Sequence, residues 1–149
     1  MIKHKFVFLI SLAFFISSCG TLKASRDPEV TPPASPKEGM STVIGRIVSK
    51  ETGEPVSGQT VWLAEVYRQD ERGAFVLDEA FSPTGRTDAN GYFTVENSPA
   101  KEYVIVIGNY NAAYDIPEEA GTTRPKTYTL QPGSILDVGE IPVKLEYHP

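Results

Sequence analysis

TDANGYFTV, residues 87–95, compresses a turn and the start of a strand into nine residues. The short carboxylate of Asp88 can accept backbone N–H groups just ahead of it, and Asn90 or Gly91 can take positive φ. Residues 88–91 therefore read as a strand-linking turn. Beyond it, Phe93 and Val95 share one face and Tyr92 and Thr94 the other, so the Phe/Val face is expected in a core. With Thr84, Gly85 and Arg86 in front, the stretch also gathers an arginine, an aspartate, an asparagine and a tyrosine. Its turn residues are better read as architecture than as a reactive site, leaving Arg86 and Tyr92 as surface contacts.

The chain on either side has the same character. Residues 43–48, 60–67, 75–77, 92–95, 103–107, 128–130 and 141–145 are rich in β-branched and aromatic side chains and are separated by Gly, Pro, Asp and Asn. No ten-residue window keeps a helical period with good helix formers. About seven short strands without a cysteine framework predict an all-β, two-sheet sandwich. Residues 103–107 are apolar on both parities. Trp62, in phase with Thr60, Ala64 and Val66, is expected in or against the core. Gly53 and Gly58 bracket a turn that carries Pro55. Pro142 cannot donate to a ladder, so it belongs at an edge or a bulge.

These segments, in this order, resemble the carboxypeptidase regulatory-like domains of the transthyretin-like (prealbumin-like) class. The resemblance rests on GRIV at 45–48, ETGEPVSG at 51–58, VWL at 61–63, TDANGYFTV at 87–95, YVIVI at 103–107, and a closing LQPG and DVGEIPV at 130–133 and 137–143. It covers nearly all of residues 42–145 and implies a Greek-key sandwich. Enzymes of the wider class rely on histidines, in one case with a C-terminal Tyr-Arg-Gly-Ser motif and in another as iron ligands beside tyrosines. Here the chain ends in LEYHP and holds two histidines, His4 and His148.

The start of the chain has a different organisation. Lys3 and Lys5 precede an almost wholly apolar run at 6–16, then Ser17, Ser18 and Cys19, as in a secretory signal. The run is shorter than the ~20 residues that span a bilayer. Ile16-Ser17-Ser18-Cys19 resembles the bacterial lipobox. That resemblance implies cleavage after residue 18, acylation of Cys19, and a membrane anchor of two or three chains, which suffices for stable attachment. Cys19 is the single cysteine, so no disulfide forms within one copy. Gly20 and Thr21, where a retained lipoprotein would carry aspartate, favour the outer membrane in a Gram-negative cell. Residues 19–39, with Pro28, Pro32, Pro33 and Pro36, read as a flexible tether to a domain at 40–149. Loss of Lys3 and Lys5 leaves 12 basic against 19 acidic side chains, a formal charge of −7. Such a surface repels nucleic acid and gives no pull toward anionic headgroups.

Little in the chain points to catalysis. After cleavage one histidine remains, at 148, so no imidazole pair forms within a chain. Carboxylates at Asp70, Glu71, Asp78, Glu79, Asp88, Asp115, Glu118 and Glu119 sit in turns and loops. A pair of them could in principle serve glycoside chemistry or hold calcium, but neither has its motif here. No cofactor or metal is expected. The longest irregular stretch, 108–126, carries Tyr110, Asn111, Tyr114 and Arg124. It reads either as a recognition surface or as a cover over one end of the sandwich. Three functions follow, in order of preference: an accessory or protein-interaction module at the cell envelope; a glycan- or peptide-binding lipoprotein using 108–126; and, distantly, an enzyme with an unrecognised carboxylate site.

Overall fold

The structure is a computed structural model describing residues 33–70, 72–109 and 112–144. Cys19, Tyr110 and Asn111 lie outside the described residues. Nine strands and no helix occur among those described: β1 (Met40–Ser49), β2 (Thr60–Gln69), β3 (Arg72–Val76), β4 (Thr84–Arg86), β5 (Tyr92–Pro99), β6 (Glu102–Asn109), β7 (Ala112–Asp115), β8 (Thr127–Thr129) and β9 (Ile135–Val143).

They form a two-sheet sandwich. One sheet has the order β5-β1-β9, with β1 and β5 antiparallel and β1 and β9 parallel. The other centres on the antiparallel pair β2 and β6. On the far side of β2 lie β3 and β4, one along each half of the strand. On the far side of β6, β7 and β8 divide the strand in the same way. This accounts for nine strands where about seven were expected, since each outer position of the second sheet is one strand broken by an excursion. The breaks fall at 77–83 and 116–126.

The inter-sheet core takes alternate residues from both sheets, including Val43, Ile47, Val61, Leu63, Phe93, Val95, Ile105 and Ile107. Each such side chain contributes roughly 1.5–3 kcal/mol by leaving water. Phe93 and Val95 are 3% and 0% exposed, whereas Thr94 faces solvent. A second apolar cluster lies on the opposite face of β2 and β6: Trp62, Ala64, Val104 and Val106. Trp62 is thus buried, but outside the inter-sheet core. Pro142 sits on β9, an edge strand, opposite Val48.

The 87–91 turn carries the chain from β4 in one sheet to β5 in the other. The Asn90 and Tyr92 amides donate to Asp88 Oδ1 at 2.8 and 2.9 Å, and the Asp88 amide donates to Tyr92 O at 2.8 Å. Gly91 has φ +80°, and a Cβ there would meet Ile47 O at 2.4 Å. The Ile47 amide donates to Gly91 O at 2.8 Å, and Arg46 Nε donates to Asn90 O at 3.0 Å, fixing the turn to β1. The turn at 53–58 lies against the same strand. The Val56 amide donates to Ile47 O, and Pro55 bridges to Val48.

Candidate binding surface

The broken outer strands explain why the outer face of β2 and β6 is apolar. Leu77, from the excursion at 77–83, and Ile116, from that at 116–126, both pack on the second cluster. Tyr114, on β7, sets its ring edge-on to Trp62, with centroids 5.6 Å apart and planes at 88°. The ring can reach there because residue 108 is glycine, whose Cβ would lie 2.7 Å from the tyrosine ring. The Tyr114 hydroxyl donates to Glu79, so β7 is joined to the 77–83 excursion across Trp62. Aromatic edge-to-face pairs contribute ~0.5–1.5 kcal/mol beyond burial. The excursions therefore roof the cluster, and Tyr114 remains 46% exposed at its border.

The part of the stretch at 112–126 has more regular structure than its composition implies. It contains β7, a bridge between Glu118 and Pro125, and a turn in which the Thr122 amide donates to Glu119 O. The signal for β7 was weak, since Ala-Ala-Tyr-Asp carries neither β-branching nor alternation. Its two described candidate binding residues divide between two clefts. Tyr114 lines a depression of about 580 Å³ with Lys50, Glu118, Thr122, Pro142 and Lys144, between the 116–126 excursion and β9. Arg124 lines another of about 270 Å³ with Val66, Arg68, Phe75 and Pro125. Its guanidinium is 3.4 Å from Glu119.

Three of the candidate carboxylates are occupied in structural roles. Asp78 Oδ1 accepts from the Ala80 and Phe81 amides at 3.0 and 3.3 Å. Asp115 Oδ2 accepts from the Lys144 amide at 2.6 Å, and Asp88 closes the turn described above. Among the described residues, no three His, Cys, Asp or Glu side chains gather in a metal-ligating group.

The β2–β3 hairpin is a further surface, one that the sequence marks only faintly. Two ion pairs tie its β2 strand to the start of β6 and the residue before it. Lys101 Nζ donates to both oxygens of Glu65 at 2.7 and 2.8 Å, and Arg68 makes a two-pronged contact with Glu102, 2.7 Å through Nε. The hydrogen bond from Arg68 holds the Glu102 carboxyl below its ordinary range. The hydrogen bonds that Lys101 donates to Glu65 likewise raise its ammonium pKa. All five residues of β3, along the other side of β2, are exposed. Tyr67, Phe75 and Val76 are 56%, 37% and 53% exposed, three of the six large apolar side chains left open on the described surface. The signal was faint because only residues 75–77 stood out as apolar.

No family model and no curated protein matches the chain. Among solved structures, it is similar to a candidate carbohydrate-binding protein from Pseudomonas aeruginosa, at 18% identity and TM-score 0.44, over 71% of this chain and 90% of that one. It is also similar to a DUF3823 family protein from Bacteroides uniformis, at 16% identity and TM-score 0.42, over 72% of this chain and 43% of that one. Likeness at this level concerns the β-rich fold alone.

Proposed function

We propose that the chain is a non-enzymatic lipoprotein, anchored through acylated Cys19 to a bacterial envelope membrane (the outer one in a Gram-negative cell), whose sandwich is an accessory or protein-interaction module. The sandwich is of the carboxypeptidase regulatory-like kind on the resemblance of its motifs. The observation that carries the interaction reading is the contrast between two parts of the surface. Asp78, Asp88 and Asp115 are spent on turn and backbone hydrogen bonds. The β2–β3 hairpin instead presents an exposed strand and three exposed apolar side chains. Unpaired strand edges and exposed apolar side chains suit recognition of protein.

A glycan- or peptide-binding role is the second reading. It is favoured by the 580 Å³ depression, where Tyr114 borders polar side chains of the 116–126 excursion.

Two experiments test these proposals. Cys19→Ala should release the domain from membranes or leave an uncleaved precursor. Unchanged processing and fractionation would remove the lipid anchor from the proposal. Crosslinking in intact envelopes should then capture a protein through the sandwich. Recovery of polysaccharide without protein would replace the first reading with the second.

A further inference from the structure

The four outer positions of the two sheets are protected unequally. β5 is closed by β4, whose Gly85 lies so near that a Cβ would be 2.2 Å from Thr94 O. β9 carries Pro142, which has no N–H to offer, and a register shift opposite β1. The β7/β8 edge is broken into pieces of four and three residues. The β3/β4 edge is broken too, but β3 is its longest regular piece: it holds no proline or lysine, shows no register shift against β2, and is exposed throughout. Exposed, regular edges of this kind are templates for pairing with another strand.

We propose that β3 pairs antiparallel with β3 of a second copy of this chain, about a two-fold axis through Phe75, joining the two larger sheets into one. This rests on the interaction reading above and names its partner. The register follows from two constraints. Gln69 and Arg72 close a two-residue loop, and Ala74 and Val76 fall opposite Tyr67 and Glu65. The closing pair of such a loop exchanges hydrogen bonds, so by alternation Arg72, Ala74 and Val76 bond to β2. Gly73 and Phe75 then turn their N–H and C=O groups outward. A second β3 must place outward groups against outward groups.

Charge selects among the registers that do so. With Phe75 opposite itself, Ala74 faces Val76, and Arg72 faces Asp78 just past the strand, twice by symmetry; the turn amides take only Oδ1 of that carboxylate, leaving Oδ2 for the arginine. Moving the axis to Ala74 sets Arg72 against Val76 and Asp78 against Asp70, a like-charge pair. Moving it to Val76 sets Arg72 against Ala80. The Phe75-centred register alone is matched in both charge and hydrophobicity, as a two-fold interface requires. A ladder of five residues buries little area, so the association is reversible and is best read by trapping.

The test uses the full chain in intact bacterial envelopes, under mild oxidation, with the wild type setting the background from Cys19. Phe75→Cys should give a disulfide-linked dimer, because hydrogen-bonded antiparallel pairs stand ~5.5 Å apart at Cα, within disulfide reach. Phe81→Cys and Ile135→Cys, at positions 86% and 44% exposed but outside β3, should stay at background. Chains carrying Ala74→Cys and Val76→Cys should link when expressed together and remain unlinked apart. Adding Arg72→Asp to Phe75→Cys should cut the dimer about tenfold, since two attractions become two repulsions. Absence of a Phe75→Cys dimer would overturn the proposal. So would equal linking at positions 81 and 135, or self-linking of Ala74→Cys matching the mixed pair. Trapping of a different protein by Phe75→Cys would overturn self-pairing while leaving the interaction module intact.

Discussion

Replacing Gly91 with alanine tests the anchoring of the 87–91 turn, and a matched control lies within the same domain. Gly91 and Gly133 have φ of +80° and +74°. Alanine at either position pays for the left-handed conformation, ~1–2 kcal/mol, and both substitutions stiffen the unfolded chain to the same extent. The surroundings differ. A Cβ at 133 meets nothing within 4 Å, whereas at 91 it falls 2.4 Å from Ile47 O. That oxygen belongs to β1 and accepts the Val56 amide at 3.0 Å, so it cannot turn aside as a side chain would. Overlap of this kind costs ~1–3 kcal/mol. Gly133→Ala should therefore destabilise by about 1–2 kcal/mol and Gly91→Ala by about 2–5 kcal/mol. Urea unfolding of residues 33–149, followed by the fluorescence of the single tryptophan, buried Trp62, measures both. Gly91→Asn sharpens the test, because asparagine accepts positive φ but still carries a Cβ. Equal losses at 91 and 133, or a mild effect of Gly91→Asn, would refute the account in which the turn is locked against β1.

Two further outcomes follow from the ion pairs and the aromatic roof. The folded Glu102 carboxyl titrates below its reference value of 4.5, chiefly through its bond from Arg68. The stabilisation is therefore complete above about pH 4.5 and is lost as pH falls through the lower, folded value. Arg68→Met should flatten the acid limb of stability against pH in urea titrations. The effect is small because both side chains are partly exposed, and an unaltered limb would exclude the pair as its source. Tyr114→Ala should cost about 1 kcal/mol and shift Trp62 emission to the red as water reaches the indole. Unchanged emission would mean that the roof over Trp62 does not depend on Tyr114.

What could be read along the chain was local. A carboxylate, an amide and a glycine at 88, 90 and 91 specify a turn, because Asp88 satisfies amides only two and four residues away. Alternation at 92–95 and the apolar run at 103–107 specify strands and which of their residues leave water. Those features were enough to imply a sandwich. Alternation cannot say which buried face is which. On β2, Val61 and Leu63 enter the inter-sheet core, while Trp62 and Ala64, equally apolar, enter the outer cluster. That assignment depended on Leu77 and Ile116, from the two excursions, and Tyr114, from β7, arriving to cover the second face.

The candidate surface was harder to read for the same reason. Tyr114 and Arg124 are ten residues apart, yet the Glu118–Pro125 bridge folds the chain between them and sends them to separate clefts. The exposure of β3 is likewise a property of sheet order, because an edge strand is defined by the neighbour it lacks. By itself, then, the sequence determined the all-β class, its turns and the residues that must be buried, since these follow from side-chain chemistry and short-range backbone geometry. Only the tertiary structure decided which strands were edges, which apolar face was roofed and which side chains shared a cleft, because each depends on contacts between residues far apart in the chain.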